Sequence, residues 1–417
     1  MQTDCLILGG GASGLAACAA AARTGVRVTL VERLDRVGKK IMASGNGRCN
    51  LSNADMNPAY YAGAAPFVSR VYDQTPPGEV LAFFSSLGLM TVQEEGRIYP
   101  RTMMAASVLD VLRAACDREN VTLLTGQEAV SLTPSRRGGW AAQLSGGECV
   151  FAPAVLCAMG GSAAPHLGTD GAGTRLLETL GHSVTPLHPA LVQLRCDHSA
   201  LRSLKGVRAQ AKLTLKIDSR AAAQETGELL FADYGVSGVC VFQLSGRAAE
   251  ALAHRRRVSL LVHLLPELDE DAVPSWLDAR IGAQPDASAQ ALLTGVFPRL
   301  LTLAILKQAG IAPDAQAGRL SRVSREALAQ AICAFPLPVT GTQGFKNAQV
   351  TRGGIPLDEV DPSTMASRIH DGLYLAGEVL DVDGPCGGYN LHFAFASGLT
   401  AARAIAAQLE ISRPTER

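Results

Sequence analysis

Residues 4–8 form a short apolar run, Asp4-Cys5-Leu6-Ile7-Leu8. It is followed by Gly9-Gly10-Gly11-Ala12-Ser13-Gly14, an alanine-rich stretch to Ala22, and then Val26-Arg27-Val28-Thr29-Leu30-Val31. This order reads as strand, tight turn, helix, strand. Gly9, Gly11 and Gly14 satisfy G-x-G-x-x-G where the pattern has physical meaning, between a strand and a helix. Glycines permit the turn and let backbone N–H groups, with those of Ala12 and Ser13, approach a pyrophosphate at the positive end of the helix. Glu32 closes the second strand, where a carboxylate can accept hydrogen bonds from both ribose hydroxyls and repels a 2′-phosphate. The nucleotide expected here is therefore FAD or NAD rather than NADP.

The other end of the chain separates those two. Leu373-Tyr374-Leu375-Ala376-Gly377-Glu378 reads as an apolar strand ending in Gly-Glu, and Gly387-Gly388-Tyr389-Asn390-Leu391 leads into a long helix. An acid at the strand end suits ribitol hydroxyls. A helix N-terminus aimed at the pyrimidine edge of a flavin stabilises negative charge there. NAD dehydrogenases have no need of this second element, so the two ends together point to FAD.

Composition limits the rest. The 417 residues are 47% hydrophobic and 18% charged, enough apolar content for two or three domains. Lys+Arg and Asp+Glu both total 38, so no overall field draws the chain to nucleic acid or an anionic membrane. The densest basic run, Arg255-Arg256-Arg257, lacks interleaved aromatics and reads as a solvated edge. The ten cysteines lie singly with no C-x-x-C pair, and several sit in apolar runs, as reduced core residues do. No basic n-region precedes the first apolar run, and that run is too short for a signal peptide or membrane span. The expected location is the cytoplasm, without a membrane partner.

The spacing predicts an α/β unit over residues 1–186, with a helix over Met104–Arg118 and strands over Val121–Leu124, Ala129–Leu132, Trp140–Leu144 and Val150–Ala158. Alternating strands follow, including Ala190–Leu194, Ala211–Ile217 and Val258–Leu264, and then a helical stretch from Asp269 to Ala334. The expected fold class is α/β: a Rossmann-like FAD domain of the two-dinucleotide-binding type. It is built from 1–186 and 340–417 and interrupted by a β-barrel-like domain at 187–265 and a helical lid at 266–339.

Beyond the fingerprint, Val31-Glu32-Arg33, Gly38-Lys39-Lys40-Ile41 and Ser44-Gly45-Asn46-Gly47-Arg48-Cys49-Asn50-Leu51-Ser52-Asn53 form an ordered set of motifs. It continues through Gly96–Pro100, Ala158-Met159-Gly160-Gly161, Gly227–Phe231, Gly235–Gly238, Ala348–Gly354 and Gly377–Gly398. Over nearly the whole chain this set resembles the bacterial flavoprotein family that includes the BaiN-like oxidoreductases and the aminoacetone-oxidase-like enzymes. The resemblance implies Ser44, Gly45, Arg48 and Asn50 in a loop close to the flavin, Arg33 and Lys40 near the dinucleotide, and Ala129 giving backbone contacts to adenine. Read without it, Ser44–Asn53 is equally a surface loop. Met159 stands where the family commonly has Thr, so a hydroxyl contact is in doubt there. The close approach allowed by Ala158, Gly160 and Gly161 is not.

Flavin carries the redox chemistry, leaving the protein to orient substrate, exclude water and move a proton. Cys386 and His392 are the candidates for proton transfer, as a carbon acid donor and a group titrating near neutrality. Each also has a plain structural reading, as a small turn residue and as a carbonyl cap. No second G-x-G-x-x-G encodes a dedicated nicotinamide site, so NAD(P)H is expected as a transient electron donor. The leading expectation is hydride transfer to an activated C=C bond of a small molecule. The alternatives are amine oxidation with oxygen, reduction of a uracil ring in ribosomal RNA, against which the neutral charge argues, and a non-catalytic flavin redox sensor. The oligomeric state and the substrate's identity are not legible.

Overall fold

The computed structural model describes residues 1–61, 63–119, 121–135 and 138–412. The chain divides into two compact units, one formed by Met1–Leu187 with Val350–Arg417 and the other by His188–Gln349.

The first unit is built on a five-stranded parallel sheet in the order Leu373–Leu375, Ala154–Cys157, Cys5–Leu8, Val28–Glu32, Thr122–Thr125. Leu6, Ile7 and Leu8 are at most 1% exposed. A strand covered on both faces needs a continuous apolar run rather than an alternating one, which is the pattern of residues 5–8. The fingerprint helix Ala12–Ala22 packs on the terminal helix Tyr389–Ser412. They approach closely because Gly398 faces Ser13, where a Cβ would overlap the Ser13 backbone. Two small antiparallel sheets complete the unit, Ser52–Asn53/Arg97–Pro100/Thr91–Glu94 and Ala129–Pro134/Trp140–Leu144/Cys149–Ala152. The single strand expected over Val150–Ala158 is two strands that break at Pro153, which lacks the N–H a continuing ladder requires.

The second unit is a closed six-stranded antiparallel barrel with helices. Its strands are Leu194–Cys196, Gly235–Ser237, Arg220–Ala232, Arg208–Ile217, Val258–His263 and Phe335–Thr342. The expected division into a barrel at 187–265 and a separate helical lid at 266–339 is corrected. Leu213, Leu229 and Leu260 of the barrel share one apolar core with Leu277, Ile305 and Leu328 of the helices. The strand that closes the barrel, Phe335–Thr342, also begins within the expected lid and crosses its boundary at 339/340. Phe335, Leu337 and Val339 alternate inward as a strand requires, but Pro336 and Pro338 between them mask the signal. Among the described residues, no helix is long and apolar enough to cross a membrane.

Candidate functional site

The fingerprint glycines perform separate tasks. A Cβ on Gly9, at φ +105°, would overlap the Ala158 backbone, and one on Gly14 would overlap the Gly9 carbonyl. A Cβ on Gly11 would meet nothing within 4 Å. Gly9 and Gly14 thus close the turn against its own backbone, while Gly11 leaves open space at the start of the Ala12–Ala22 helix. Gly11 caps that helix with no side-chain bond, so the first-turn amides remain available to an anion. Ser13 is buried against the terminal segment, its hydroxyl 3.4 Å from the Ala376 carbonyl. The Glu32 carboxylate accepts from Gly10 N at 2.8 Å and from Leu34 N at 2.9 Å. It therefore fixes both sides of the turn, and each oxygen keeps a lone pair for a hydroxyl. Glu32→Ala is expected to orphan both amides and weaken FAD binding about tenfold to a hundredfold, measured by flavin titration of the apoprotein.

Arg33 pairs with Asp170 at 2.7 Å, and its pKa is raised above the usual guanidinium value, first by that hydrogen bond. Ala129 is buried at the start of its strand, just beyond Gly126 and Gln127, whose amides donate to Leu34 O and Glu32 O. The sequence-adjacent turn therefore lies beside the end of the strand Val28–Glu32.

Lys40 and Glu378, from opposite ends of the chain, form a 2.6 Å ion pair. The other Glu378 oxygen accepts from Thr351 N at 2.9 Å, and Thr351 Oγ1 accepts from Ser162 N and Ala163 N at 2.7 and 3.0 Å. Ala158, Gly160 and Gly161 run into this junction. Gly160 is left-handed at φ +72°, and a Cβ on Gly161 would lie 2.4–3.1 Å from Thr351 and Glu378 atoms. Thr351 is a positioning residue that sequence reasoning missed. Its motif was visible in Ala348–Gly354, but its role depends on contacts 27 and 189 residues away.

The loop from Ser44 to Asn50 is ordered by its own backbone. Gly45 and Asn46 are both left-handed, and Ser44 Oγ donates to Ile41 O at 2.6 Å. Arg48 stacks 4.7 Å over the Tyr99 ring and lies 3.6 Å from Glu94. Its charge therefore has protein partners. Asn50 is nine-tenths buried and its Oδ1 has no protein partner, a group that suits a bound donor.

The terminal turn meets the same loop. Gly377, Gly387 and Gly388 take φ values of +77°, +126° and +100°, and a Cβ on Gly388 would sit 2.9 Å from Asn50 Oδ1. Gly387 O accepts from Asn53 Nδ2 at 2.9 Å. Asn390 is directed back into its own loop: its Oδ1 accepts from Gly384 N and its Nδ2 donates to Gly384 O, both at 2.8 Å. That side chain shapes the turn, so any cofactor contact from Asn390 falls to its backbone. Tyr389 is buried edge-on to Tyr60 and Tyr61, leaving backbone groups of Tyr389, Asn390 and Leu391 at the helix start. Cys386 is partly exposed on this turn.

The burial of His392 goes against its reading as a group titrating near neutrality. The residue is 0% exposed, with Nδ1 at 2.8 Å from Ser52 Oγ and its ring edge-on to Tyr72. Burial pushes its pKa down to about 3, so it stays neutral in working conditions, and its Nε2 has no protein partner. Sequence spacing put it one turn into the helix but could not say which face it occupied.

The open Gly11 cradle, the uncapped start of the Ala12–Ala22 helix and the orphaned Asn50 oxygen together fit a flavin dinucleotide. No group of His, Cys, Asp and Glu among the described residues suits a metal ion.

A model of the HI0933-like protein Rossmann domain matches residues 3–404. The chain is 41% identical over 403 residues to a 3-dehydro-bile acid Δ(4,6)-reductase of Clostridium scindens, covering 96% of this chain and 98% of that one. It is 29% identical over 404 residues to a ribosomal RNA dihydrouridine synthase of Escherichia coli, covering 96% and 97%. Its fold is similar to 3-ketosteroid Δ1-dehydrogenase from Sterolibacterium denitrificans, with TM-score 0.53, 14% identity and coverage of 98% and 100%.

Proposed function

Since the chain belongs to the HI0933-like family and is an FAD-dependent oxidoreductase, we propose that it reduces a carbon–carbon double bond conjugated to a carbonyl in a small molecule. The observation that carries this reading is the 41% identity, along almost the full length of both chains, to a reductase of a 3-dehydro-bile acid. A bound flavin supplies two-electron transfer at its ring, and NAD(P)H is the proposed source of those electrons.

In this reading the first-turn amides after Gly11 hold the pyrophosphate and Glu32 orders the turn beneath it and the adjacent ribose. The Lys40–Glu378 pair ties the two ends of the chain around the ribitol. The start of the Tyr389–Ser412 helix would favour negative charge on the pyrimidine edge of a bound flavin. Cys386, on the turn before that helix, delivers the proton to carbon. Cys386→Ser is expected to slow substrate reduction about a hundredfold while leaving flavin reduction by NAD(P)H unchanged, since only the proton donor is altered. Separate half-reaction kinetics measure both.

The reading is tested by anaerobic stopped-flow mixing of FAD-loaded protein with NADH or NADPH, followed by a panel of conjugated enones. Flavin bleaching and then recovery on enone addition is the expected result; failure of every enone to restore oxidised flavin overturns it.

The dihydrouridine synthase relative supports a second reading, because the uracil C5=C6 bond is itself conjugated to a carbonyl. Uridine in ribosomal RNA would then be the acceptor in the same assay.

A further inference from the structure

Arg255-Arg256-Arg257 reads in isolation as a solvated edge, but the fold gives the run neighbours that it lacks in sequence. The strands Arg208–Ile217 and Arg220–Ala232 are joined by Asp218-Ser219, a two-residue turn with both residues left-handed, at φ +48° and +70°, and Ile217 paired to Arg220. Asp218 ties this turn to the approach of the strand Val258–His263. Its N–H donates to Arg257 O at 2.9 Å, and its carboxylate accepts from Arg257 N at 3.0 Å and from Arg256 Nε at 2.8 Å. Arg255, left-handed at φ +57°, closes the helix Val239–Ala253 through a bond from its N–H to Leu252 O at 2.9 Å. From the same helix Arg247 Nη1 donates to Ala222 O at 3.0 Å, just past Arg220. Lys216, Arg220, Arg247 and the run 255–257 thereby gather at one end of the barrel.

Structural needs use up only part of this charge. Arg256 is matched by Asp218, whose carboxyl is held below its usual range first by that hydrogen bond. A cation after a helix C-terminus is favoured by the dipole, which accounts for Arg255 but not for Lys216 and Arg220, which lie on strands. Lys216, Arg220, Arg255 and Arg257 hold no ion pair among the described residues, and the three arginines are exposed. The acids nearby besides Asp218 are Glu225, close enough to feel the charge of Arg247, and Glu250 on the helix. None of the exposed large apolar side chains among the described residues belongs to this cluster. The surface therefore offers neither an insertion point for a bilayer nor a stacking platform for bases. Fork-shaped donors on a fixed backbone, without apolar anchors, suit phosphate oxygens.

We propose that this end of the barrel, around Arg220, Arg255 and Arg257, is a docking surface for the phosphodiester backbone of RNA. The proposal rests on the second reading above, in which uridine in ribosomal RNA is the acceptor. It supplies the local field that a chain of zero net charge otherwise lacks. Contacts of this kind position an RNA without reading its sequence.

The test uses FAD-loaded full-length protein and a fluorescein-labelled RNA hairpin with a uridine-rich loop, with fluorescence anisotropy read from about 50 to 200 mM KCl. The wild-type binding constant is expected to fall with salt at a log–log slope of about −3, as four phosphate contacts give. Combined Arg220→Gln, Arg255→Gln and Arg257→Gln is expected to bring the slope to about −1 and to weaken binding about a hundredfold at the lowest salt, at unchanged flavin content. Arg70→Gln, Arg113→Gln and Arg322→Gln together, exposed arginines elsewhere, lower the net charge equally and are expected to keep the wild-type slope. An unchanged slope in the first variant, or an equal loss in the second, overturns the inference. If the first variant does not retain FAD, Arg220→Gln and Arg257→Gln singly each have to reduce the slope by about one, and unchanged slopes in both overturn it. Displacement of the RNA by polyglutamate at equal charge concentration overturns the choice of partner. Dihydrouridine in the same RNA, read by mass after incubation with NADH or NADPH, separates the two claims. Its formation with an unchanged slope in the variants sinks the surface alone, whereas RNA held through these arginines with no dihydrouridine formed sinks the second reading and leaves the surface.

Discussion

Gly14→Val is expected to leave the purified protein colourless. A side chain there begins inside the Gly9 carbonyl, and Gly9 is itself packed so closely that a Cβ on it would lie 2.4 Å from the Ala158 carbonyl oxygen. Backbone therefore has to move on two strands of the parallel sheet at once. Overpacking that displaces backbone costs roughly 4 kcal/mol, at or above the upper end of the usual range, which is about a thousandfold in affinity if it falls on the cofactor. The ratio of flavin to protein absorbance measures the loss, and circular dichroism shows whether the fold survives. Gly282→Ala, in the helix Val273–Ala283 and with nothing within 4 Å of an added Cβ, is the control. A yellow Gly14→Val protein with wild-type melting temperature contradicts the account of the turn.

The second large effect is on stability against pH. His392 is buried and neutral, with its pKa pushed down to about 3, whereas an imidazole in the unfolded chain titrates near ~6.5. Protonation thus favours the unfolded chain. The stabilisation is fully present above pH ~6.5 and is withdrawn as pH falls toward the folded value. The slope approaches about 1.4 kcal/mol per pH unit, and the total is on the order of 5 kcal/mol. His392→Gln, which can still bond Ser52 Oγ, is expected to flatten the fall in urea midpoint between pH 6.5 and 4. Parallel curves for the two proteins would show that the imidazole is not the group responsible. In turnover, no neutral-pH limb is expected to vanish with this variant, since the buried ring stays neutral there.

The residues that were legible in the sequence are those whose role is local. Gly9, Gly11 and Gly14 between a strand and a helix, Glu32 at the next strand end, and the buried run of residues 5–8 announce themselves by spacing of a few residues. The amphipathic helices Ala65–Gln74 and Pro77–Ser86 were missed, although a proline near each N-terminus marks their starts. The strand Phe335–Thr342 was hidden by Pro336 and Pro338, so a barrel closure looked like the edge of a lid. Its membership of the barrel depends on pairing with both Leu194–Cys196 and Val258–His263, and neither partner is near it in sequence.

By itself, then, the sequence determined a flavoprotein-type α/β unit with its nucleotide turn at one end and its second glycine turn at the other, because glycine spacing and apolar runs act over a single turn or strand. Tertiary structure alone decided which polar groups meet. It turned His392 into the core, bent Asn390 back on its own loop, joined Lys40 to Glu378, and set Arg352 beside Asp383. Those outcomes depend on which face of an element is buried and on contacts between distant segments. A side chain's charge, exposure and partner are properties of that packing, and residue type and spacing do not carry them.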